Sequence, residues 1–549
     1  MKRFYLFLSA FILLPIYLLT AETPVTITIL ETSDLHGNLM PWDYYQQRPY
    51  DQGLATVATL IRQERQKDPE LILLDGGDTN QGSPLISVYL SQMTSYPNPM
   101  TLAMNHLQYD AMTVGNHDFN FGQKVLNQFI SEAHFPILSA NIQNEDGSQH
   151  FQPFIIKDVK GFKIGILGLT TNGILVWEKP EHIAGLKFKD PIPTAKKWIP
   201  QMKDQGADII LALVHTGTEK SPVNSRDPDA WKSDVSTWVD QGYSNIPSEN
   251  FVMKLAQEVP EIQVIFSGHA HQIIPEMTTN NTLIVQPASR GLGLIKVELT
   301  LDCSGSVIHR KSEYLSTRHV PADSAIVQLV KPYHQKTLAF VKQSIGFATA
   351  PFPGGMPARE ADGPLADLIN AIQLDMAKQA GVEATVSATA IFNNQGHFSD
   401  TIRVADVYAL YPYDNTLFAI EVNGAQLKTA LEQSASYWKG PGQVADNARN
   451  YNWDMMTGID YKLDLSKPIG QRVVEFSHNG KSIDPEYKFA MVLNNYRVGG
   501  GGGFDMYKDC KKLWESTETV REYVIDYITR EKTLNPEDYF VKNWTIMNP

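Results

Sequence analysis

A chain of 549 residues exceeds what one hydrophobic core usually organises, so more than one domain is expected. Its formal charge of −13 argues against a surface that grips a nucleic-acid polymer, because that affinity comes mainly from Lys and Arg displacing phosphate counterions. Its two cysteines, Cys303 and Cys510, are too few for a thiolate metal cage, so a metal site has to use imidazole, carboxylate and amide donors; the pair is either a disulfide or two separate thiols.

Lys2 and Arg3 precede an apolar run from Phe4 to Leu19, and polar Glu22 follows Ala21, which is the pattern of a secretory signal over residues 1–21. The alternative is an uncleaved anchor, against which the short run and Pro15 count. A periplasmic or secreted protein with no stable membrane insertion after cleavage is expected. Strand-length apolar runs follow at Val25–Leu30, Leu71–Leu74, Ala111–Val114, Lys163–Leu169, Ile209–Val214 and Val264–Phe266, with helical patterns at Leu54–Lys67 and Val125–Ala133 between them. This is α/β material, and nearly every His and Asp cluster stands just after one of these strands, where such folds assemble their sites.

After a strand-like Leu294–Leu301, apolar positions Ile326, Val327, Val330, Leu338 and Val341 follow Pro321 and Asp323 and predict a connecting helix over residues 321–345. It divides a first domain, 24–320, from a second, 346–549. The second is mixed in pattern, with elements at Ala366–Lys378, Leu417–Val422 and Phe489–Leu493, and carries a glycine run at Gly499–Gly503.

Five strand ends carry candidate metal donors. Asp34 and His36, two apart on an extended segment, project to one side. Asp78 ends Asp75-Gly76-Gly77-Asp78, where glycines let the backbone approach an ion. Asn116 and His117 stand in Gly115-Asn116-His117-Asp118, His215 ends a strand, and His269 and His271 share Ser267-Gly268-His269-Ala270-His271. Alone, each reads as a cap, a turn or an ordinary buried histidine. Together, in order and each after a strand, they are the oxygen and imidazole donors that a pair of divalent cations needs.

In order, DLHGN, GGD, GNHD, LVHTG and SGHAH resemble the signature of the calcineurin-like metallophosphoesterases, and specifically of the 5′-nucleotidase family, which adds a C-terminal substrate domain. The resemblance covers nearly the whole chain after residue 21. It implies an N-terminal four-layer β-sandwich flanked by helices, a connecting helix and a C-terminal α/β nucleotide-binding domain. It also implies two divalent cations, zinc or manganese, one held by Asp34, His36, Asp78 and His271 and the other by Asp78, Asn116, His215 and His269, with Asp78 bridging. Such a pair acidifies an attacking water and neutralises phosphoryl charge. His117 matches the histidine that faces the phosphate or protonates the leaving oxygen. Its usual partner there is an acid three residues on; this chain has Asn120, which leaves the partner unassigned.

In the second domain, Leu410-Tyr411-Pro412-Tyr413-Asp414-Asn415-Thr416 and Asn494-Asn495-Tyr496-Arg497 place tyrosines among turn residues. Such tyrosines are either core packing or platforms for a planar base. The family's base sandwich implies the second for Tyr413 and Tyr496, with Asn415 as a polar contact. Phe392-Asn393-Asn394-Gln395-Gly396 stands where 5′-nucleotidases have a glycine-rich stretch ending in arginine, and the glycine run lacks their aspartate. With Asn120, these departures resemble the bacterial 2′,3′-cyclic-nucleotide 2′-phosphodiesterase/3′-nucleotidase group. A small nucleotide substrate is expected. A 5′-nucleotidase or nucleotide-sugar hydrolase, for which Arg359, Arg403 and Arg497 could serve a 5′-phosphate, remains the rival, and a non-catalytic nucleotide-binding protein is the reading from another class. Oligomeric state, base preference and metal identity are not encoded legibly.

Overall fold

The computed structural model describes residues 24–222, 233, 235–240, 249–392, 394, 396–446 and 448–547. The expected signal over 1–21 lies outside the described residues. Among those described, no helix is long and apolar enough to cross a membrane. Cys303 and Cys510 are free, the first exposed and the second half-buried, so the disulfide alternative is set aside.

The first domain is built on two six-stranded sheets. One runs in the order Val307–Ser316, Gly293–Leu301, Val25–Thr32, Ile72–Asp75, Ala111–Thr113, Ile137–Leu138; the other Ile274–Thr279, Thr282–Gln286, Ile262–Ser267, Ile209–His215, Phe162–Thr170, Phe154–Val159. Because strand side chains alternate between faces, Ile27, Ile29, Ile72, Leu74, Ile164 and Ile166 meet in the core between the sheets. Leu30, Leu71 and Leu73 turn outward to Leu54–Lys67 and its neighbouring helices. Leu167 and Leu169 turn outward to the helices Pro191–Asp204 and Val252–Glu258. The result is a helix–sheet–sheet–helix stack of four layers. The central strands of both sheets are parallel, so their carboxyl ends gather at one edge of the sandwich.

The expected connecting helix is shorter than 321–345. It spans Ser324–Val341, capped by Asp323, and residues Ser344–Ala348 form a strand instead. That strand pairs with Thr401–Arg403 and Thr533–Leu534 of the second domain, which satisfies backbone groups a longer helix would leave to solvent. The helix is also not a free strut: Ile326, Val330, Tyr333 and Val341 belong to the outer core of the first domain.

The second domain centres on a five-stranded sheet, ordered Asp454–Thr457, Val386–Ala390, Lys488–Asn494, Thr416–Asn423, Lys511–Thr519, packed with the helices Pro364–Gln379, Gly424–Ala435 and Val520–Glu531. Antiparallel register pairs Leu417 with Asn494. The start of one strand therefore lies beside the end of the other, which brings the Tyr413–Asn415 and Asn495–Tyr496 segments together.

Candidate metal centre and nucleotide cleft

The strand-end loops of the first domain converge as expected, and they do so under strain. Asp34, His36, Asp78, His269 and His271 all hold positive φ (52°, 48°, 56°, 71° and 53°), a region costly for non-glycine residues and tolerated where the surroundings over-determine it. Backbone bonds tie the loops to one another: Asp34 N–H donates to Gly77 O and His36 N–H to Asp78 O, each at 2.9 Å. Asp118, fully buried among backbone donors, accepts from the N–H groups of Asp78, Thr79, Asn80 and Gly115. Burial and the charge of Asp78 push its carboxyl up to about 6. Gly115 has no alternative, since a Cβ there would stand 2.2 Å from Asp78 Oδ1.

The side chains fall into two clusters, Asp34 with His36 and His271, and Asp78 with His215 and His269. In the first, His36 Nε2 lies 2.9 Å from His271 Nε2, which is 3.3 Å from Asp34 Oδ1. In the second, His215 Nε2 lies 3.1 Å from both Asp78 Oδ2 and Asn116 Oδ1, and His269 Nδ1 lies 3.0 Å from the same amide oxygen. Asp78 Oδ2 is also 4.0 Å from His36 Nε2, between the clusters. Its other oxygen is taken by His117 N–H at 2.7 Å.

This donor set suits cations. His36 and His215 give their Nδ1–H to the carbonyls of Gln81 and Gly76, so each Nε2 turns a lone pair inward. Lone pairs of the Asp78 carboxylate, the Asn116 amide oxygen and these imidazoles then converge, an arrangement that a cation relieves. Without one, a proton competes: although burial opposes it, Asp78 holds His215 up at about 10. Burial and the neighbouring His271 push His36 down to about 3.

His117 points its Nδ1 at Asn120 Oδ1, 2.7 Å away, and its ring stands edge-on to His36 with centroids 5.4 Å apart. Trp177 stacks on His269, centroids 5.3 Å apart and planes 24° from parallel.

Opposite these groups, across a cleft of about 770 Å³, stand Tyr413, Asn415 and Tyr496 of the second domain. Asn415 Nδ2 donates to Asn495 Oδ1 at 2.9 Å and locks the two loops together. Tyr451 stands edge-on to both Tyr413 (6.1 Å, 89°) and Tyr496 (5.9 Å, 87°). Of the arginines considered for a 5′-phosphate, Arg497 is buried and held by Asp454, Arg359 is buried and bonded to Ile391 O and Asn394, and Arg403 stands exposed at the N-terminal end of the helix Val404–Leu410, its backbone N–H donating to Asp406. Phe392 and Asn394 reach the cleft; residues 393 and 395 lie outside the described ones.

Two models of known families cover most of this architecture. A calcineurin-like phosphoesterase model matches residues 27–273, and a 5′-nucleotidase C-terminal domain model matches residues 344–509. The chain belongs to the 5′-nucleotidase family of calcineurin-like phosphoesterases. As a member of this family it is a metal-dependent hydrolase of phosphate esters, acting on nucleotides. It is 30% identical, over 96% of its length, to a trifunctional nucleotide phosphoesterase of Bacillus subtilis, of which it spans 39%. It is 29% identical, over 95% of its length and 88% of the relative's, to a 2′,3′-cyclic-nucleotide 2′-phosphodiesterase/3′-nucleotidase of Haemophilus influenzae. A solved Staphylococcus aureus protein assigned as a 5′-nucleotidase shares the fold, with a TM-score of 0.83, 26% identity, and coverage of 95% of this chain and all of that one.

Several cleft residues escaped the sequence reading. Tyr451, Trp177, Glu178 and Glu249 line the cleft, and Glu249 Oε1 lies 3.6 Å from His269 Nε2. One signal was available: Phe162–Thr170 is a central parallel strand, so the segment after it had to reach the same edge.

Proposed function

We propose that this enzyme cleaves 2′,3′-cyclic nucleotides to 3′-nucleotides and these to nucleosides, outside the cytoplasm, with Asp34, His36, Asp78, Asn116, His215, His269 and His271 holding two cations, zinc or manganese. The observation that carries the reading is the one cleft with inward-facing donors on one wall and tyrosines on the other. When bound, the cations supply positive charge to the phosphoryl oxygens and favour ionisation of the attacking water. The protein's own groups do the rest. Tyr413 and Tyr496 hold the base, Asn415 fixes their loops, and His117 gives a proton from Nε2 to the departing ribose oxygen.

The cyclic and 3′ preference is supported by the arginines. With Arg359 and Arg497 committed to internal bonds, the pocket has less to offer a flexible 5′-phosphate. A cyclic diester is already held against the ribose and loses less entropy on placement. The Haemophilus relative's name points the same way. Arg290, on the first domain's side of the cleft, is the observation favouring the rival 5′-nucleotidase reading. Rates on 2′,3′-cyclic AMP, 3′-AMP, 5′-AMP and a nucleotide sugar separate them: kcat/KM is expected to be highest for the cyclic substrate, and a preference for 5′-AMP overturns the proposal. His117→Ala is expected to keep its metals and to lose rate mainly on nucleoside esters, since nitrophenolate leaves without a proton.

A further inference from the structure

The chain replaces the expected acid beside His117 with an amide, and an amide can face either way. What settles its direction lies one step further out. Asn120 Nδ2 donates to Glu178 Oε2 at 2.7 Å. The other oxygen, Oε1, accepts from Lys179 N–H at 2.8 Å and meets His182 Nδ1 at 2.8 Å. The Glu178 side chain is 4% exposed, its Oε1 accepts from a backbone N–H that cannot turn round, and a carboxylate accepts on both of its oxygens. The amide nitrogen must therefore face Glu178, and Oδ1 must face His117. An amide oxygen only accepts, so the proton on that side of the ring stays on Nδ1 and Nε2 alone is left to exchange a proton with a bound ester.

We infer that Glu178 is a positioning residue for the reaction, fixing the Asn120 amide and through it the tautomer and orientation of His117; this rests on the assignment of His117 to the leaving oxygen. The arrangement is an acid, an amide and an imidazole in series, in which the carboxylate acts without touching the imidazole. Its place in the fold supports the role. Glu178 follows the short helix Ile174–Trp177, whose Trp177 stacks on His269, and Val176 O packs so closely on Gly499 that a Cβ there would stand 2.7 Å away. The carboxylate is therefore held from the metal side and from the second domain together.

The test is a cycle of variants assayed on 2′,3′-cyclic AMP and on bis-nitrophenyl phosphate, with metal content measured for each. Glu178→Ala frees the amide to turn. It is expected to lower kcat on the nucleotide roughly tenfold, a part of the hundredfold or more that general acid catalysis contributes, with KM within about twofold, metals retained and the nitrophenyl ester nearly unaffected. Asn120→Asp in that background offers an acceptor whichever way it turns, and is expected to restore most of the rate. Asn120→Asp alone sets a second carboxylate against Glu178 and is expected to be slower than the double variant. Equal losses on both esters, or no rescue with metals intact, would show Glu178 to be a packing residue. A single Asn120→Asp variant as fast as the unaltered enzyme would mean that Glu178 does not face position 120. His117→Ala separates the two layers of argument: if it leaves the nucleotide rate unchanged, the role of His117 fails, whereas if it is slow while Glu178→Ala is not, only the inference about Glu178 fails.

Discussion

In the proposed centre Asp78 would serve both cations. One oxygen is consumed by the backbone of His117, and the other faces His215 at 3.1 Å and His36 at 4.0 Å. Asp78→Asn keeps the shape and removes the charge, so loss of both metals or of nearly all activity is expected; elemental analysis alongside the rate checks it. Asp367 offers a test of pH dependence away from the centre. It is buried, accepts from Val541 N–H at 3.0 Å and from Thr457 at 2.8 Å, and burial, with Asp362 adding, pushes it up to about 6. The folded chain therefore keeps a proton that the unfolded chain releases near ~4. Its stabilising contribution is present below that pH and is lost as pH rises to about 6, with a slope of at most about 1.4 kcal/mol per pH unit. Asp367→Asn is expected to flatten the fall in thermal midpoint over that window. The convergence of the candidate donors was legible in the sequence because cation chemistry restricts residue types and strand ends restrict their places. Glu178 and Tyr451 were not, since a lone Glu or Tyr in a loop carries no pattern until the fold brings it to Asn120 or to Tyr413.

At the scale of elements, the strands were readable because strands buried on both faces leave short unbroken apolar runs that end in polar residues: the six predicted strands differ from the observed ones by a few residues at their ends, and Leu54–Lys67 matches the predicted helix to the residue. The boundary after the connecting helix was less readable. Ile345, four residues after Val341, continues a plausible helical stripe, and pairing with Thr401–Arg403 and Thr533–Leu534 makes that stretch a strand. Loop geometry was the other blind spot, as nothing in DLHGN or SGHAH announces positive φ at Asp34, His36, His269 and His271. The crossing of the Gly115 and Asp78 loops can be tested by adding one carbon. Gly115→Ala puts a Cβ 2.2 Å from Asp78 Oδ1 and 2.5 Å from its backbone nitrogen, so the loops must part. Metal affinity is expected to fall at least tenfold with the secondary structure unchanged, as metal titration and circular dichroism would report.

At the scale of the whole molecule, the domains are joined by more than a tether. Ala405 of the second domain is buried in the first domain's outer core, Phe340 meets Tyr408 edge-on at 6.2 Å, and Gln81 Nε2 donates to Asp414 Oδ2 at 2.9 Å. The tyrosine-bearing wall is thus presented to the candidate metal centre in the arrangement described here. Tyr413→Ala is expected to lower kcat/KM about tenfold or more on nucleotides, the worth of one lost stacking partner, while bis-nitrophenyl phosphate, which has no nucleobase, is cleaved nearly as before. An equal loss on both would make Tyr413 a packing residue.

Gln81 belongs to both walls at once. Its carbonyl receives His36 Nδ1–H, and its side chain holds Asp414, which is gripped from behind by Arg521 and lies next to Tyr413. Thermodynamic linkage makes any such connection symmetrical: if filling one site tightens the other, the reverse holds by the same factor. A nucleoside, which carries no phosphate to touch a cation, should therefore raise the affinity of the apoenzyme for zinc or manganese, and Gln81→Ala should abolish that cross-talk while leaving each ligand able to bind alone. Calorimetric titrations of metal with and without adenosine would measure it. The enzyme would then retain its metals best while nucleosides are at hand, so that scarcity of the product's own base also loosens the catalytic cargo.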